Sequence, residues 1–220
     1  MIQREYHKIE TLFERDITGS KKLLPGQYRN ETVEFLKDAQ WDWTEKVDGT
    51  NMRVFWDGHT VSFAGRTERA NIPVELANRM TKLFGGEDTA QVFEQLFGDK
   101  ELTLYGEGYG RKIQNGGAYI KDGVDFILFD VMVYNGFMPR FYVEHVATAL
   151  GIKVVPIVGS GTLDEAVAFI KTHPHSVLGD CTMEGIVARP HVELKDRFGE
   201  RVIVKIKCRD FERSDDGGSR

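Results

Sequence analysis

The stretch EKVDGTNMRVFWDGHTVSFA, Glu45 to Ala64, sets the character of the chain. Met52–Trp56 and Thr60–Ala64 are short runs rich in apolar, β-branched and aromatic residues. They flank Asp57-Gly58, a two-residue turn signal, and predict a β-hairpin. Just ahead lies the polar run Glu45-Lys46-Val47-Asp48-Gly49-Thr50-Asn51. Taken alone this is turn chemistry, and a lysine beside a turn is ordinarily solvated. Whether Lys46 is more than that depends on what the rest of the chain carries, and at what spacing.

Beyond the hairpin, the hydrophobic period changes several times. Leu76, Met80, Leu83 and Phe84 fall at helical spacing and predict a helix over Val74–Phe84, stopped by Gly85-Gly86. Val92, Phe93, Leu96 and Phe97 do the same over Thr89–Phe97. Glu101–Tyr105 and Asp125–Val133 read as strands, the second so continuously apolar that it belongs at the centre of a sheet. Val143–Leu150 is a helix ended by Gly151. Thr162-Leu163-Asp164-Glu165 is a capping box that opens a helix through Ile170. Gly185–Ala188 and Arg201–Lys207 are late strands. Strands dominate both ends with helices between and around them, an α+β pattern with largely antiparallel sheets rather than the regular βαβα of a Rossmann fold.

Composition bounds the class. The 220 residues fit one large domain, with 41% hydrophobic and 11% aromatic residues to fill a core. The expected organisation is a single domain over residues 1–210 and a disordered tail over 211–220, without internal repeats or a long linker. No apolar run approaches the roughly 18 residues of a membrane span, and the N-terminus has no apolar signal region. Cys181 and Cys208 stand alone, which suits a reduced, cytoplasmic protein. His173-Pro174-His175 lacks further ligands at metal-site spacing. The net charge of −5 argues against coating nucleic acid by bulk charge. A nucleic-acid partner therefore requires lysines and arginines concentrated by the fold.

Five polar clusters stand on or next to the predicted strands: Lys46–Asn51, Gly65-Arg66-Thr67, Tyr105–Gly110, Met183–Val187 and Val204–Lys207. Each has a bland explanation. Glu107 between glycines suits a turn, and Lys205 and Lys207 alternate with Val204 and Ile206 as on any half-exposed strand. That alternation also aims both lysines at one face, where they repel unless an anion lies between them. A phosphate supplies such an anion. Gly106-Glu107-Gly108-Tyr109-Gly110 is a poor phosphate loop, because it lacks the GxxxxGK[ST] run and places an acid where a phosphate cradle wants none. A glutamate there better suits a sugar hydroxyl.

In order along the chain stand Lys46-Val47-Asp48-Gly49, Arg66, Glu107, Phe129-Asp130, Glu184-Gly185 and Lys205-Ile206-Lys207. This series resembles the ordered motifs of the covalent nucleotidyltransferases, which include ATP-dependent RNA and DNA ligases and mRNA capping enzymes. Lys-x-Asp-Gly alone is weak; six motifs in order, over residues 44 to 207, are specific. Thr50-Asn51 is similar to RNA ligases of the phage nick-sealing type, where DNA ligases and capping enzymes typically carry arginine. Tyr6–Asp16 and Gly110–Gly117 also look like phage and bacterial RNA ligases. The resemblance implies an ATP-grasp-like nucleotidyltransferase domain of mainly antiparallel sheets flanked by helices.

The resemblance further implies an ATP-dependent polynucleotide ligase that seals 5′-phosphate and 3′-hydroxyl ends through lysyl-AMP. Lys46 is the implied nucleophile, with Lys205 and Lys207 compensating charge on the α-phosphate. An amine attacks only when neutral, a form that nearby cations or burial favour. Glu45 or its backbone is expected at the adenine edge, Glu107 on the ribose, and Phe129 against adenine with Val187 closing the other face. Arg66 and Asn51 complete the nucleotide-binding set. Phe126 is the rival aromatic, on the opposite face by its odd spacing. Mg²⁺ or Mn²⁺ is expected on Glu184, through water or directly, with Asp48 second.

Implied partners are RNA or nicked nucleic-acid ends, with no membrane. The implied location is the cytoplasm, that of the host for a phage-encoded chain. Ligases commonly add a C-terminal OB-fold or helical domain, for which the 13 residues after Lys207 leave no room. A minimal ligase or an excised catalytic domain is expected, with an accessory protein or domain supplying further contacts. Other readings are a DNA ligase, a GTP-dependent capping-type enzyme, or a nucleotide- or RNA-binding module without catalysis.

Overall fold

The computed structural model describes residues 5–19, 21–115 and 118–211. Residues 212–220, most of the expected tail, lie outside the described residues. The chain divides into two compact units. The first holds the residues up to His7 together with Val47–Val155, and the second holds Lys8–Lys46 and the residues from Pro156 on.

Lys8–Lys46 forms β1 (Glu10–Thr11), β2 (Phe13–Arg15), β3 (Leu23–Tyr28), α1 (Glu31–Phe35) and β4 (Trp41–Glu45). Val47–Val155 forms β5 (Thr50–Trp56), β6 (Val61–Gly65), α2 (Val74–Phe84), α3 (Glu87–Phe97), β7 (Leu102–Gly110), β8 (Val124–Val133), β9 (Gly136–Phe137), α4 (Arg140–Leu150) and β10 (Lys153–Val154). From Pro156 follow β11 (Ile157–Gly161), α5 (Leu163–Lys171), β12 (Gly185–Pro190) and β13 (Val204–Lys207), closed by a short 3₁₀ turn, Cys208–Phe211.

In the first unit a sheet runs β10-β8-β7-β5-β6, with β9 on the edge of β8. All its pairs are antiparallel except β10 with β8. One face carries Met52, Val54 and Trp56 from β5, Leu102 and Leu104 from β7, and Phe126 and Leu128 from β8. They pack with Leu76, Met80 and Phe84 of α2, Phe93 and Phe97 of α3, and Val143 and Val146 of α4. Each fully buried side chain of this size contributes roughly 1.5–3 kcal/mol. The helices bury their apolar stripes on this face, while the other carries Asn51, Arg53 and Glu107 among the buried side chains of Phe55, Tyr105 and Ile127.

Three sequence expectations change here. The hairpin β5–β6 closes through four residues, 57–60, rather than two. Trp56 pairs with Val61, and the Asp57 carboxylate accepts from the amides of His59 and Thr60. The glycine-rich run 106–110 lies inside β7 rather than beyond a strand end. Its glycines answer to packing: a Cβ at Gly106 would lie 2.2 Å from the Phe126 ring, and one at Gly108 would lie 2.4 Å from Leu76. The strand expected over 201–207 is regular only from Val204.

In the second unit the sheet runs β1-β13-β12-β4-β11, with β1 parallel to β13 and the rest antiparallel. Trp41, Trp43, Ile186, Ala188, Val204 and Ile206 face a core completed by Leu163, Ala166 and Ile170 of α5. Helix α5 opens on the expected capping box, in which the Thr162 side chain accepts from the Glu165 amide and Glu165 returns to the Thr162 amide. Among the described residues no helix is long and apolar enough to cross a membrane.

Candidate active site

In the second unit, alternation along β4, β12 and β13 sends Trp43, Ile186 and Ile206 into the core. Thr44, Val187 and Lys205 stand opposite one another on the other face, Val187 pairing with both neighbours. The next row toward the strand ends is Lys46, Gly185 and Lys207. The Lys46 amide donates to the Gly185 carbonyl, and Gly185 pairs with Lys207. Gly185 has no alternative there, since a Cβ would lie 2.1 Å from the Ile206 carbonyl oxygen and its φ is +158°.

Glu184, just before β12, reaches into this row. Its Oε2 accepts from Lys46 Nζ at 2.5 Å and its Oε1 from Lys207 Nζ at 2.5 Å. All three side chains are largely buried, with exposures of 24% for Lys46, 13% for Lys207 and 16% for Glu184. Burial pushes the Glu184 carboxyl up, but the Lys46 and Lys207 ammonium groups outweigh it and hold the group below the usual glutamate range. The Lys205 ammonium makes no hydrogen bond or ion pair among the described residues, although its carbonyl accepts from the Leu12 amide at 3.2 Å. Burial, followed by the charges of Lys207 and Lys46, pushes its ammonium down. The nearby Glu10 carboxylate is already shared by Lys8 at 2.9 Å and Arg29 at 3.2 Å. Three ammonium groups against one carboxylate leave an excess of two positive charges on this face. Such a half-buried, under-compensated cluster calls for an anion.

Glu45 points the other way. It is buried, its carboxylate accepts from Ser176 Oγ at 2.5 Å and the Val177 amide at 3.1 Å, and burial pushes its carboxyl up. Its own amide donates to the Pro156 carbonyl. This places the Glu45 side chain on the 176–178 loop, a contact that nothing in the local sequence foretold. Val187 is half-buried in the row beside Lys205.

The first unit carries the remaining candidates. Asn51 pairs with Glu107, and Glu107 with Ile127, so these three share a row across β5, β7 and β8 on the face away from the helices. The Asn51 Oδ1 is buried without a hydrogen-bond partner among the described residues. The register between β7 and β8 slips at Phe129: Tyr105 pairs with Asp130 and Gly106 with Leu128, leaving Phe129 as the extra residue of a β-bulge. Bulges re-aim side chains, and Phe129 stands half-buried, edge-on to the Tyr6 ring at 4.9 Å. Phe126, by contrast, is 1% exposed in the helix-covered core. Asp130 is fully buried and accepts from the Tyr6 hydroxyl at 2.5 Å. Arg66 is exposed after β6 and makes no hydrogen bond or ion pair among the described residues.

Asp48 accepts from Asn115 Nδ2 at 2.9 Å, and its amide donates to the Tyr119 hydroxyl at 3.3 Å. Neither partner stands out as a site residue in the sequence, although Asn115 lies in the Gly110–Gly117 loop singled out above. Among the described residues no three His, Cys, Asp or Glu side chains gather as a metal-binding group.

With this geometry in hand, known proteins give a consistent picture. The family model described as RNA ligase matches residues 39–207, well over half of the chain. The chain belongs to the RNA ligase family. Its fold is similar to that of Naegleria gruberi RNA ligase. One mutant form of that protein, with ATP and Mn, gives a TM-score of 0.62 at 19% identity, covering 90% of this chain and 59% of that one. The form with PPi gives 0.60 at 19%, covering 92% and 61%. A further mutant form, with AMP and Mn, gives 0.59 at 18%, covering 90% and 60%. At these identities the likeness establishes the fold, and the chain spans about three fifths of the length of those proteins. No curated protein matches this chain.

Proposed function

We propose that this member of the RNA ligase family is an ATP-dependent polynucleotide ligase of RNA type, joining 5′-phosphate and 3′-hydroxyl ends through a lysyl-AMP intermediate. The observation that carries the reading is the convergence of Lys46 and Lys207 on the single carboxylate of Glu184, with the Lys205 ammonium beside them forming no ion pair among the described residues. Lys46 Nζ, once neutral, attacks the α-phosphorus of ATP. The P–N bond forms, the bond to the β-phosphate oxygen breaks, and pyrophosphate leaves. A 5′-phosphate oxygen then takes the AMP, breaking the P–N bond and returning Lys46 to the amine. Finally a 3′-hydroxyl attacks that 5′-phosphorus and expels AMP. Because Lys46 is held by Glu184, attack requires it to exchange that partner for the nucleotide. Lys205 and Lys207 favour the exchange by offering the phosphate two fixed positive charges.

The remaining roles follow the same reading. Glu107 takes a ribose hydroxyl, Phe129 and Val187 contact adenine, and Asn51 and Arg66 contact the nucleotide or the nucleic-acid end. For Glu45, contact with the adenine edge falls to the backbone carbonyl oxygen, because the carboxylate is engaged with Ser176 and Val177 and the amide with the Pro156 carbonyl. A divalent cation is compatible with one or two carboxylates because Mg²⁺ keeps several waters and shares substrate phosphates. Glu184 would hold it, with Asp48 second, and it would neutralise charge developing on the phosphates. RNA ends are the proposed partner, RNA repair in the cytoplasm the proposed setting, and an accessory protein or domain the source of further nucleic-acid contacts.

The test is incubation with a divalent cation and α-labelled ATP or GTP, followed by a denaturing gel. Label retained from ATP and lost in Lys46→Ala is the expected result. Label from GTP alone would favour a capping-type enzyme, and no label from either would sink the enzymatic reading. Nicked RNA, nicked DNA and single strands then define the sealed substrate.

A further inference from the structure

The segment that follows Lys46 in the chain is held at three points within the first unit. The Asp48 amide donates to Tyr119 Oη at 3.3 Å, and the Asp48 Oδ2 accepts from Asn115 Nδ2 at 2.9 Å. Gly49 lies so close to β7 that a Cβ would stand 2.3 Å from the Gly108 carbonyl oxygen and 2.9 Å from Glu107 Cγ. Both polar partners of Asp48 come from the loop between β7 and β8, and that loop is itself anchored. Ile113 is 4% exposed in the core, and the Ile113 amide donates to the Gly110 carbonyl. The Tyr119 ring packs edge-on against Tyr109, at 6.0 Å and 82°. Tyr109 is 1% exposed, and its hydroxyl accepts from Lys153, which pairs with Asp125, itself bound by Arg79. Lys112 and Gln114 take left-handed backbone, with φ of +64° and +47°. Non-glycine residues adopt this conformation at a cost that surrounding structure must offset. The buried Ile113 lies between Lys112 and Gln114, and Asn115, bonded to Asp48, directly follows them.

We propose that Asn115 and Tyr119 are positioning residues for nucleotidyl transfer, acting through Asp48 by fixing both its carboxylate and the backbone path that leaves Lys46. The proposal rests on the function proposed above. Asn115 is exposed, so its loss leaves the core of the unit intact. Tyr119→Phe keeps the ring against Tyr109 and removes the acceptor of the Asp48 amide.

The experiment uses the full chain in five forms: unmodified, Asn115→Ala, Tyr119→Phe, Asp48→Ala and the double variant Asp48→Ala/Asn115→Ala. Amide exchange followed by mass spectrometry reads the hold on Asp48 without requiring chemistry. Single-turnover lysyl-AMP formation reads its consequence. Loss of either bond speeds exchange in the peptide covering residues 47–51 by about tenfold, with strands β7 and β8 unchanged. Each single variant lowers the rate of adenylylation by about tenfold at saturating ATP while leaving KM for ATP unchanged. In the Asp48→Ala background Asn115→Ala has no further effect, because its route to the chemistry is gone. Additive losses in the double variant, or unchanged exchange over 47–51 in both single variants, overturn the proposal. An unmodified chain that takes no label contradicts the proposed function instead. The hold on Asp48 is then judged on exchange alone, and unchanged exchange overturns it.

Discussion

Replacing Glu184 by glutamine removes the one anion between Lys46 and Lys207 and keeps the shape of the side chain. Both of its oxygens carry an ammonium at 2.5 Å, and exposures of 13–24% put the trio in a weakly screened setting. Removing one partner of a buried ion pair costs about 3–5 kcal/mol. The glutamine oxygen retains one acceptor, and the residual exposure screens the three lysines, so about 2–3 kcal/mol is expected at neutral pH. The sign with pH is fixed by the depressed carboxyl. A glutamate held below its unfolded value stabilises above that unfolded value, near pH 4.5, and loses the contribution as pH falls through the folded value. The gap between the native chain and Glu184→Gln should therefore be constant from pH 7 down to about 5 and close below about pH 4.5. Urea unfolding in a Trp56→Phe background measures it, since the remaining Trp41 and Trp43 both lie in the second unit. A gap of the same size at every pH, or no gap at pH 7, would show that Glu184 is not held as a carboxylate by its two lysines.

Two further substitutions separate packing from charge. Gly106→Ala places a Cβ 2.2 Å from the Phe126 ring and 2.5 Å from the Ile127 carbonyl oxygen. The backbone contact cannot swing aside, so a loss of about 1–3 kcal/mol in first-unit stability is expected, read by urea unfolding followed through Trp56. Glu45 behaves opposite to Glu184: burial raises its carboxyl, so its stabilising protonated form is lost as pH rises from near 4.5 through the folded value. Glu45→Gln should thus gain on the native chain as pH rises over that window in paired unfolding titrations, and a constant difference would count against a buried, raised carboxyl.

Local patterns were legible where local physics decides them. The stripe Leu76, Met80, Leu83, Phe84 gave the bounds of α2, and Thr162 with Glu165 gave the start of α5. Alternation along Val204–Lys207 put both lysines on one face, away from the second-unit core. What could not be read depends on contacts between distant segments. Glycines 106 and 108 look like a loop in sequence, yet they stand in a strand because Phe126 and Leu76 occupy the space of their side chains. The carboxylate of Glu45 is taken by Ser176 and Val177, and that of Asp48 by Asn115, partners that no spacing rule connects. The bulge that sets Phe129 apart from Phe126 arises from a register slip against β7, which the apolar run alone does not reveal. The short early strands β1 and β2 were missed because two or three residues are too few for periodicity to speak. In β3 the Pro25-Gly26 pair reads as a turn and hides the strand around it.

The nucleophilic role of Lys46 is best tested by peptide mass mapping of the full chain after incubation with ATP and Mg²⁺ or Mn²⁺, under conditions that preserve acid-labile P–N bonds. The expected result is one added AMP, carried by Lys46 and absent from Lys46→Ala, while Lys205→Ala and Lys207→Ala lower its yield without moving it. An AMP on a different residue, or an unmodified Lys46 after incubation with either metal, would contradict that role.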